Sequence, residues 1–435
     1  MKAGKHHSII RSWGNSQNTK GIVHDLQSIQ LPSTLSEVPD FITYGNGRSY
    51  GDCCLNKNVL NVRNADKVIS FDSENGIIHC QSGILLKQLL EIIIPKKWFL
   101  PVTPGTKYIT LGGAIAADVH GKNHHVEGTF CNYVNWLLLL LPDGTVLKCS
   151  REQHADLFHA SCGGMGLTGV ILEAEFRLKP IKSAFIQQDL RQTDSLSETI
   201  DLLDANNKST YVVAWIDGFA KEHTQQKGLV FLGEHADEGR LHFSFKQPIS
   251  IPRAFPSFLL NDTSMKLYNQ RFLNVNKAGR RSVNIEAFFY PLDRIKNWNR
   301  IYGSQGFIQY QLVIPFQNAK EVLGAIVNRV AESDHRSYLS VLKQFGEANA
   351  NYLSFPMEGY TLTMDFKMKD GLLPFLEELD QIVSAGKGRV YLAKDGRMSR
   401  EFFEKGYPAL EKFREVRKKY QLEKLQSFQS KRLGL

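Results

Sequence analysis

Three glycine-rich stretches early in this sequence have the composition that binds phosphate groups. They read YGNGRSYGD at 44–52, PVTPGTKYITLGGAIAADVHGKNHH at 101–125 and GGMGLTG at 163–169. Glycine lets the backbone approach a ligand closely, and exposed backbone N–H groups can donate to phosphate oxygens. The three stretches therefore predict a phosphate-bearing ligand held by the backbone.

The spacing of the glycines does not match the common nucleotide motifs. The glycines of 44–52 miss the G-x-G-x-x-G spacing, and no G-K-[ST] sequence follows them. A literal G-x-G-x-x-G occurs at Gly164, Gly166 and Gly169, but helix-like sequence precedes it and strand-like sequence follows it. A dinucleotide fingerprint needs the reverse order, with the pyrophosphate on a helix N-terminus. The pattern thus predicts an extended dinucleotide in a site that is not of the Rossmann type.

Three histidines in the second stretch raise the question of a metal. His120 and His124 have the i, i+4 spacing of helical metal ligands, and His125 follows directly. However, no carboxylate or thiolate has comparable spacing, and Gly121 weakens a helix there. Histidines that form hydrogen bonds beside a ligand are favoured over a metal site.

Composition and charge set the broad class. The 435-residue chain has a net charge of +9, which suits an anionic ligand, nucleic acid or an acidic membrane surface, or only a basic solvated face. Six scattered cysteines without a CxxC pair argue against a disulfide framework or zinc site. The N-terminus lacks the apolar core of a signal peptide, and the apolar run at 136–142 is too short to span a bilayer. We therefore expect a protein that is cytoplasmic or peripheral to the inner membrane.

Hydrophobic periodicity indicates an α+β fold. Near residue 184 the pattern of predicted elements changes, and longer strands alternate with helices after it. We predict strands at 76–83, 136–142, 145–150, 169–180, 211–219, 306–315 and 360–368, and helices at 84–94, 154–162, 318–332 and 371–386. The stretch 246–276 has prolines and aromatics without a clear period. It is interpreted either as a mobile loop near a binding site or as a packed surface loop. Residues 411–426 are predicted to form a basic helix.

Several motifs together resemble a known family. GNGRSYGD, PVTPGT, LGGAIAADVHGKNHH, GGMGLTG and YLAKDGR are similar to sequences of the FAD-linked oxidases of the vanillyl-alcohol-oxidase type. The resemblance runs nearly end to end, from SWGN near residue 12 to AKDGR. It implies a bipartite FAD-binding domain of the PCMH type, formed by 1–183 and completed by 389–435. Residues 184–388 would form an inserted α+β substrate domain built on an antiparallel sheet.

The resemblance also implies which residues bind FAD. In relatives with a covalently attached flavin, a histidine lies in the first loop, where this chain has Arg48 or a near neighbour. The flavin is therefore expected to be bound non-covalently. The implied FAD-binding residues are Gly45, Asn46, Gly47, Arg48, Ser49, Tyr50, Gly105, Thr106, Thr110, Gly112, Gly113, Ala117, Asp118, His120, Val170 and Tyr391.

Lys394 in YLAKDGR matches the essential lysine of the family. The resemblance implies that it acts either as a base, once its pKa is lowered, or as a fixed positive charge. If 391–397 forms a strand, Asp395 should face away from Lys394. The implied substrate-binding residues are Tyr50, His120, Lys122, Trp215, Gln309, Gln311, Lys343, Phe345 and Thr363. For Trp215 a position in the hydrophobic core is an equal alternative.

The resemblance further implies a reaction and its partners. The expected activity is FAD-dependent oxidation of a secondary hydroxyl of a polyprenyl-phosphate-linked or related sugar to a ketone. This would be the first half of an epimerisation in cell-envelope biosynthesis, shared with a separate NAD(P)H-dependent reductase. Thr363 stands where mycobacterial members carry a cysteine, which leaves the substrate open.

Two alternatives remain beside this reading of the sequence. One is an oxidase or dehydrogenase of the same family that acts on a soluble aldonolactone or polyol. The other is a basic nucleic-acid-binding or membrane-binding protein without catalysis, which would contain no flavin. With the enzyme reading, nucleic acid is not expected as a partner, and a peripheral membrane contact is left open.

Overall fold

The structure, a computed structural model, describes residues 5–26, 38–256 and 258–435. Its strands are β1 (Lys5–Arg11), β2 (Asn18–Asp25), β3 (Ile42–Tyr44), β4 (Asn58–Asn61), β5 (Val68–Asp72), β6 (Ile77–Gln81), β7 (Trp98–Phe99), β8 (Val134–Leu140), β9 (Val146–Ser150), β10 (Val170–Arg177), β11 (Lys179–Pro180), β12 (Phe185–Thr193), β13 (Tyr211–Ile216), β14 (Gly228–His235), β15 (Ile249–Ser250), β16 (Gly279–Asn284), β17 (Ile295–Lys296), β18 (Phe307–Ile314), β19 (Ser337–Phe345), β20 (Gly359–Lys367) and β21 (Arg389–Val390).

The described α-helices are α1 (Leu86–Ile93), α2 (Leu111–Ala116), α3 (His124–Glu127), α4 (Ala155–Ser161), α5 (Leu196–Ala205), α6 (Asp262–Val275), α7 (Ile285–Phe289), α8 (Ala319–Glu332), α9 (Leu372–Ala385), α10 (Arg400–Gly406), α11 (Leu410–Lys419) and α12 (Phe428–Leu433). None of the helices in the described residues is both long and apolar enough to cross a membrane.

The strands form three main sheets. A four-stranded sheet has the order β1-β2-β4-β3, and a five-stranded sheet has the order β5-β6-β10-β8-β9. The eight-stranded sheet, with the order β16-β12-β14-β13-β19-β20-β18-β21, is antiparallel at each of its paired neighbours. Two pairs of the four-stranded sheet are parallel, but most strand pairs are antiparallel, and their mixture with helices confirms the α+β class.

The eight-stranded sheet has one covered face and one face free to form a site. Helices α8 and α9 pack on β18, and Tyr310 of that strand donates a hydrogen bond of 2.8 Å to Asp380 of α9. Residues on either side of Tyr310 point to the opposite face because side chains alternate along a strand. Strand β20 lies between β19 and β18 and is buried along nearly its whole length.

Most predicted elements are present, including all seven strands and all four helices named from periodicity. The order around the literal G-x-G-x-x-G is also confirmed, since α4 precedes it and β10 follows it. Three expectations were wrong. The stretch 246–276 is not simply a loop, because it contains α6; the basic helix near 411–426 ends at Lys419; and residues 391–397 form a turn after β21 instead of a strand.

Candidate active site

The first glycine-rich loop, 44–52, is held between Trp13 near the N-terminus and the turn that contains Ala393. The N–H of Trp13 donates to the carbonyl of Ser49 at 2.8 Å, and the N–H of Tyr50 donates to the carbonyl of Ala393 at 3.0 Å. A Cβ atom at Gly51 would lie 1.7 Å from the carbonyl oxygen of Asp395, so only glycine fits there. The loop and the turn around Lys394 are therefore fixed against each other.

The second loop reaches the first through side-chain contacts. Asn46 donates from its amide to the carbonyl of Tyr108 at 2.6 Å. A Cβ atom at Gly45 would lie 2.5 Å from Oγ1 of Thr110, which caps α2 by accepting from the N–H of Gly113. Both loops therefore line one side of a common site.

These loops offer hydrogen-bond donors and space, as a dinucleotide requires. Within the described residues, the backbone N–H groups of 45–49 donate no hydrogen bond to the protein. The buried Nε of Arg48 and Oγ of Ser82 also have no partner there, and a Cβ atom at Gly105 would meet nothing within 4 Å. The guanidinium of Arg48 lies 3.8 Å from the centre of the Trp13 ring, which leaves its N–H groups available. The residues present therefore fit a pyrophosphate-containing cofactor.

A buried ion pair anchors the second loop. The Lys107 ammonium lies 2.9 Å from Oε1 of Glu286 and 3.7 Å from Oδ2 of Asp293, and all three side chains are buried. Thr106, an expected FAD contact, donates to Asp293 at 2.8 Å. Its hydroxyl is thus engaged within the protein, and its neighbour Gly105 is the more open position.

Four other residues expected at the cofactor have structural partners of their own. Asp118 is buried, and its Oδ2 accepts from Asn349, Asn351 and Ser354. The remaining expected residues lie nearby in the same core: Tyr391 donates from its hydroxyl to the carbonyl of Ala117 at 2.7 Å, and Val170 begins β10. Asp118 therefore fastens the 349–354 segment, and its role toward FAD remains a prediction.

Strand register brings the polar residues of the open sheet face together. Gln309 pairs with Asp365, Gln311 with Thr363, and Lys343 with Thr361 across β18, β20 and β19. Residues directly opposite in antiparallel strands point to the same side. The expected substrate residues Gln309, Gln311, Lys343 and Thr363 therefore share one face.

Lys394 lies beside this face in the turn after β21. Its ammonium is 3.7 Å from the centre of the Tyr50 ring, at the end of the first loop. Burial, with a smaller contribution from nearby Lys343, lowers the pKa of Lys394 to about 7, while Asp365 acts in the opposite direction. Asp395 accepts from Arg432 instead of pairing with Lys394. Lys394 is therefore able to exchange a proton near neutral pH.

Asp365 is a site residue that the sequence analysis missed. Its Oδ1 accepts from Gln309 at 2.6 Å, and its Oδ2 accepts from Tyr302 at 3.2 Å. Burial raises the pKa of Asp365 to about 7, against the effects of Gln309 and Lys394. The one signal in the sequence was its position two residues after Thr363, on the same face of a strand.

Two further lysines make the site positive. Burial lowers the pKa of Lys343 to about 8, and burial with the charge of Lys343 lowers the pKa of Lys122 to about 7. Lys122 donates to the carbonyl of Phe288 and lies 4.3 Å from the centre of its ring. Among the described residues Lys343 has no ion-pair partner. A partly buried ammonium without a counterion favours an anionic ligand.

His120 links the two halves of the site. Its Nε2 lies 2.9 Å from the amide nitrogen of Gln311, and its ring centre is 4.7 Å from that of Phe345. Burial, followed by the charge of Lys343, lowers the pKa of His120 well below its usual value. A neutral imidazole that accepts at Nε2 carries its proton on Nδ1, and this buried Nδ1 has no partner within the described residues. His120 therefore carries a buried N–H that has no acceptor among the described residues.

The neighbouring histidines bind backbone groups. Nδ1 of His124 accepts from the N–H of Gly346 at 3.1 Å, and Nε2 of His125 lies 2.9 Å from the carbonyl of Ser209. In the described residues no cluster of three or more potential ligands is arranged to hold a metal ion.

Trp215 lies farther out on the same sheet. It pairs with Val341, which pairs in turn with Thr363, so its side chain points to the site face. Its ring packs 5.1 Å from that of Phe272 in α6 and against Leu229. Trp215 thus belongs to a small apolar cluster beneath α6, and two strands, β19 and β20, separate it from Gln311.

Comparison with known proteins agrees with this geometry. A family model described as an FAD binding domain matches residues 37–150. The chain is 36% identical over 392 residues to the decaprenylphosphoryl-β-D-ribose oxidase of Mycolicibacterium smegmatis. The alignment covers 87% of this chain and 85% of that protein. It is 32% identical over 351 residues to an uncharacterised protein of Streptomyces coelicolor, covering 77% of this chain and 95% of that one. The chain is also 29% identical over 169 residues to the L-gulonolactone oxidase of Mus musculus. That alignment covers 38% of this chain and 37% of that enzyme.

The loops, the lysine and these matches define an FAD-dependent oxidoreductase that acts on CH–OH groups. The chain belongs to the FAD-linked oxidases of the vanillyl-alcohol-oxidase type, and the resemblance found in the sequence is confirmed.

Proposed function

We propose that this protein oxidises a secondary hydroxyl of a sugar linked to a polyprenyl phosphate, or a closely related glycosyl carrier, to a ketone. This would be the first half of an epimerisation in cell-envelope biosynthesis, completed by a separate NAD(P)H-dependent reductase. The relative from Mycolicibacterium is named for oxidising a decaprenylphosphoryl ribose. The observation that carries the proposal is Lys343, whose partly buried ammonium has no counterion among the described residues. A phosphate group would supply that charge.

In the proposed arrangement FAD is held without a covalent bond. Residues 45–49 and Gly105 would contact its pyrophosphate through backbone N–H groups. The division into an FAD-binding domain of 1–183 and 389–435 and a substrate domain of 184–388 is part of the proposal. Seven strands of the eight-stranded sheet lie between Phe185 and Lys367, which supports that division, and the eighth, β21, begins the 389–435 segment. When bound, FAD supplies the chemistry that accepts a hydride from the carbinol carbon.

The side chains of this protein would supply the proton chemistry and the orientation. Lys394, with its lowered pKa, accepts the hydroxyl proton as the carbon loses its hydride. Asp365 acts on Lys394 electrostatically and is held in place by Gln309. His120 donates from Nδ1 to a substrate oxygen, while Lys343 binds the phosphate.

The test is anaerobic incubation of the FAD-loaded protein with candidate substrates. Polyprenyl-phosphate sugars and aldonolactones are compared by the loss of the yellow flavin absorbance. Bleaching by the phosphate-linked sugar, and weaker bleaching after Lys343→Met with that substrate alone, supports the proposal. Bleaching by aldonolactones alone, insensitive to Lys343, contradicts it and favours a soluble lactone or polyol as substrate.

A further inference from the structure

Exposed apolar side chains are concentrated in one segment of the surface, 249–295. Among the described residues, eight of the fourteen large apolar side chains that are exposed lie in this segment, although it is a small part of the chain. They are Ile249, Phe255, Phe258, Leu259, Leu267, Tyr268, Val275 and Ile295. Single exposed apolar residues are ordinary, whereas a contiguous group marks an interaction surface.

Contacts within the described parts of this segment hold its backbone in place. The short strand at Ile249 pairs in parallel with Ile295, and the side chain of Ser264 donates to the carbonyl of Leu259 at 2.9 Å. Helix α6 begins with a capping box formed by Asn261 and Ser264. The loop before α6 is thereby tied to its first turn.

Helix α6 has a solvent-exposed side and a side that packs against the sheet. Asn269 is its one fully buried residue, and Phe272 packs inward onto Trp215. Leu267 and Val275 are 68% and 61% exposed and lie two turns apart on the same side. The outward side therefore presents large apolar groups that no described residue covers.

Basic residues surround these apolar groups. Between residues 249 and 285 the sequence contains one acidic residue, Asp262. Its basic residues are all exposed, and they are Arg253, Lys266, Arg271, Lys277, Arg280 and Arg281. Apolar side chains rimmed by Lys and Arg are typical of segments that lie in the interface of an anionic membrane.

A cavity lies beside this surface. It has a volume of about 550 Å³ and lies at the start of α6, with Asp262, Arg336, Lys367 and Lys369 in its lining. Lys367 follows Asp365 by two residues on β20, so both point to the same face of the sheet. The cavity therefore borders the strand that carries Asp365, and basic residues outnumber acidic ones in its lining.

We propose that α6 and the loop before it, residues 249–256 and 258–275, form a docking surface for an anionic phospholipid bilayer. The apolar side chains enter the headgroup region, the basic residues contact lipid phosphates, and the cavity beside Asp262 faces the membrane. This goes beyond the proposed function, because docking does not depend on which sugar is oxidised. Its test needs no turnover.

The apolar contribution is tested by sedimentation of the FAD-loaded protein with vesicles of phosphatidylcholine and phosphatidylglycerol. The triple variant Phe258→Ser, Leu267→Ser, Val275→Ser should lose at least about tenfold in vesicle affinity, because its methyl and ring groups no longer enter the interface. The matched control, Ile69→Ser, Val146→Ser, Leu373→Ser, removes exposed apolar groups elsewhere and should bind as the parent does. Equal binding by the two triple variants would overturn the proposal.

The electrostatic contribution uses the same assay. Lys266→Glu with Arg271→Glu should weaken binding at least about tenfold, whereas Lys412→Glu with Lys418→Glu, on exposed positions of α11, should not. Binding should also fall with added salt and be lost on pure phosphatidylcholine. If sedimentation velocity finds instead a dimer that the 258/267/275 variant dissociates, the surface joins two copies of this chain and the membrane proposal fails. FAD absorbance and the unfolding midpoint confirm that each variant is folded.

Discussion

The pH dependence of hydride removal tests the proposed role of Lys394 directly. A free lysine has a pKa near 10.5, and burial in this site lowers it to about 7. At about pH 7 roughly half of Lys394 is then neutral, compared with about one in 3,000 for an ordinary lysine. A base is active when neutral, so its contribution is lost as the pH falls through the lowered pKa.

The assay is anaerobic stopped-flow reduction of the bound flavin by saturating substrate. We expect the rate to rise about tenfold between about pH 6 and pH 8 and then to level off, because the neutral fraction of a group with a pKa near 7 follows that course. Lys394→Arg keeps the positive charge and cannot accept the proton, so its rate should fall by about 10²–10⁴. The rate of the Lys394→Met variant should fall by the same factor, because it also lacks the base.

Asp365→Asn provides the second variant of this test. The carboxylate of Asp365 raises the pKa of Lys394, so its removal should move the inflection to lower pH, by about one unit or more. The inflection belongs to the coupled Lys394–Asp365 pair and not to one residue alone. A rate that falls as the pH rises, with Lys394→Arg nearly as active as the parent, would refute the base role and identify Lys394 as a fixed positive charge.

Four further changes test other parts of the site. Lys343→Met should raise KM for a phosphate-bearing substrate about tenfold or more and move the Lys394 inflection to higher pH, because a neighbouring positive charge is lost; an unchanged KM would argue against phosphate binding there. Gly51→Ala should lower the free energy of unfolding by about 1–3 kcal/mol even without FAD, since its Cβ would lie 1.7 Å from a backbone carbonyl. Gly105→Ala, whose Cβ meets nothing within 4 Å, should leave the apoprotein's stability unchanged and weaken FAD binding alone, as measured by flavin titration. Lys107→Met should cost about 3–5 kcal/mol in urea unfolding, because it leaves a buried carboxylate without its cation.

The sequence predicted the elements whose side chains alternate or repeat regularly. Strands such as β18 and helices such as α8 follow their apolar periodicity, so their positions could be found without the structure. Helix α6 could not, because its one buried residue is polar. Asn269 is bound to Asp217, and no apolar stripe reveals the packed side. Its capping residues, Asn261 and Ser264, were the available signal.

The active site was predicted only in part, and the reason differs from that for α6. The family motifs pointed to Lys394, Gln309 and Gln311, which the structure brings to one region, but they gave no hint of Asp365. Its place opposite Gln309 is set by the register of β18 with β20, a tertiary property that no local pattern contains. The turn at 391–397 is also set by tertiary contacts, since the N–H of Tyr391 donates to the carbonyl of Gln311 before the chain turns.

The positions of the lysines constrain how a phosphate-linked sugar must lie. An anion raises the pKa of every lysine close to it, and a phosphate beside Lys394 would return that residue toward its charged form. Lys394 can remain a base only if the phosphate binds nearer to Lys343, whose ammonium has no counterion among the described residues. The sugar hydroxyl would then point toward Tyr50 and Lys394. A phosphate that binds closer to Lys343 than to Lys394 would thus keep Lys343 charged for binding and leave Lys394 neutral for catalysis.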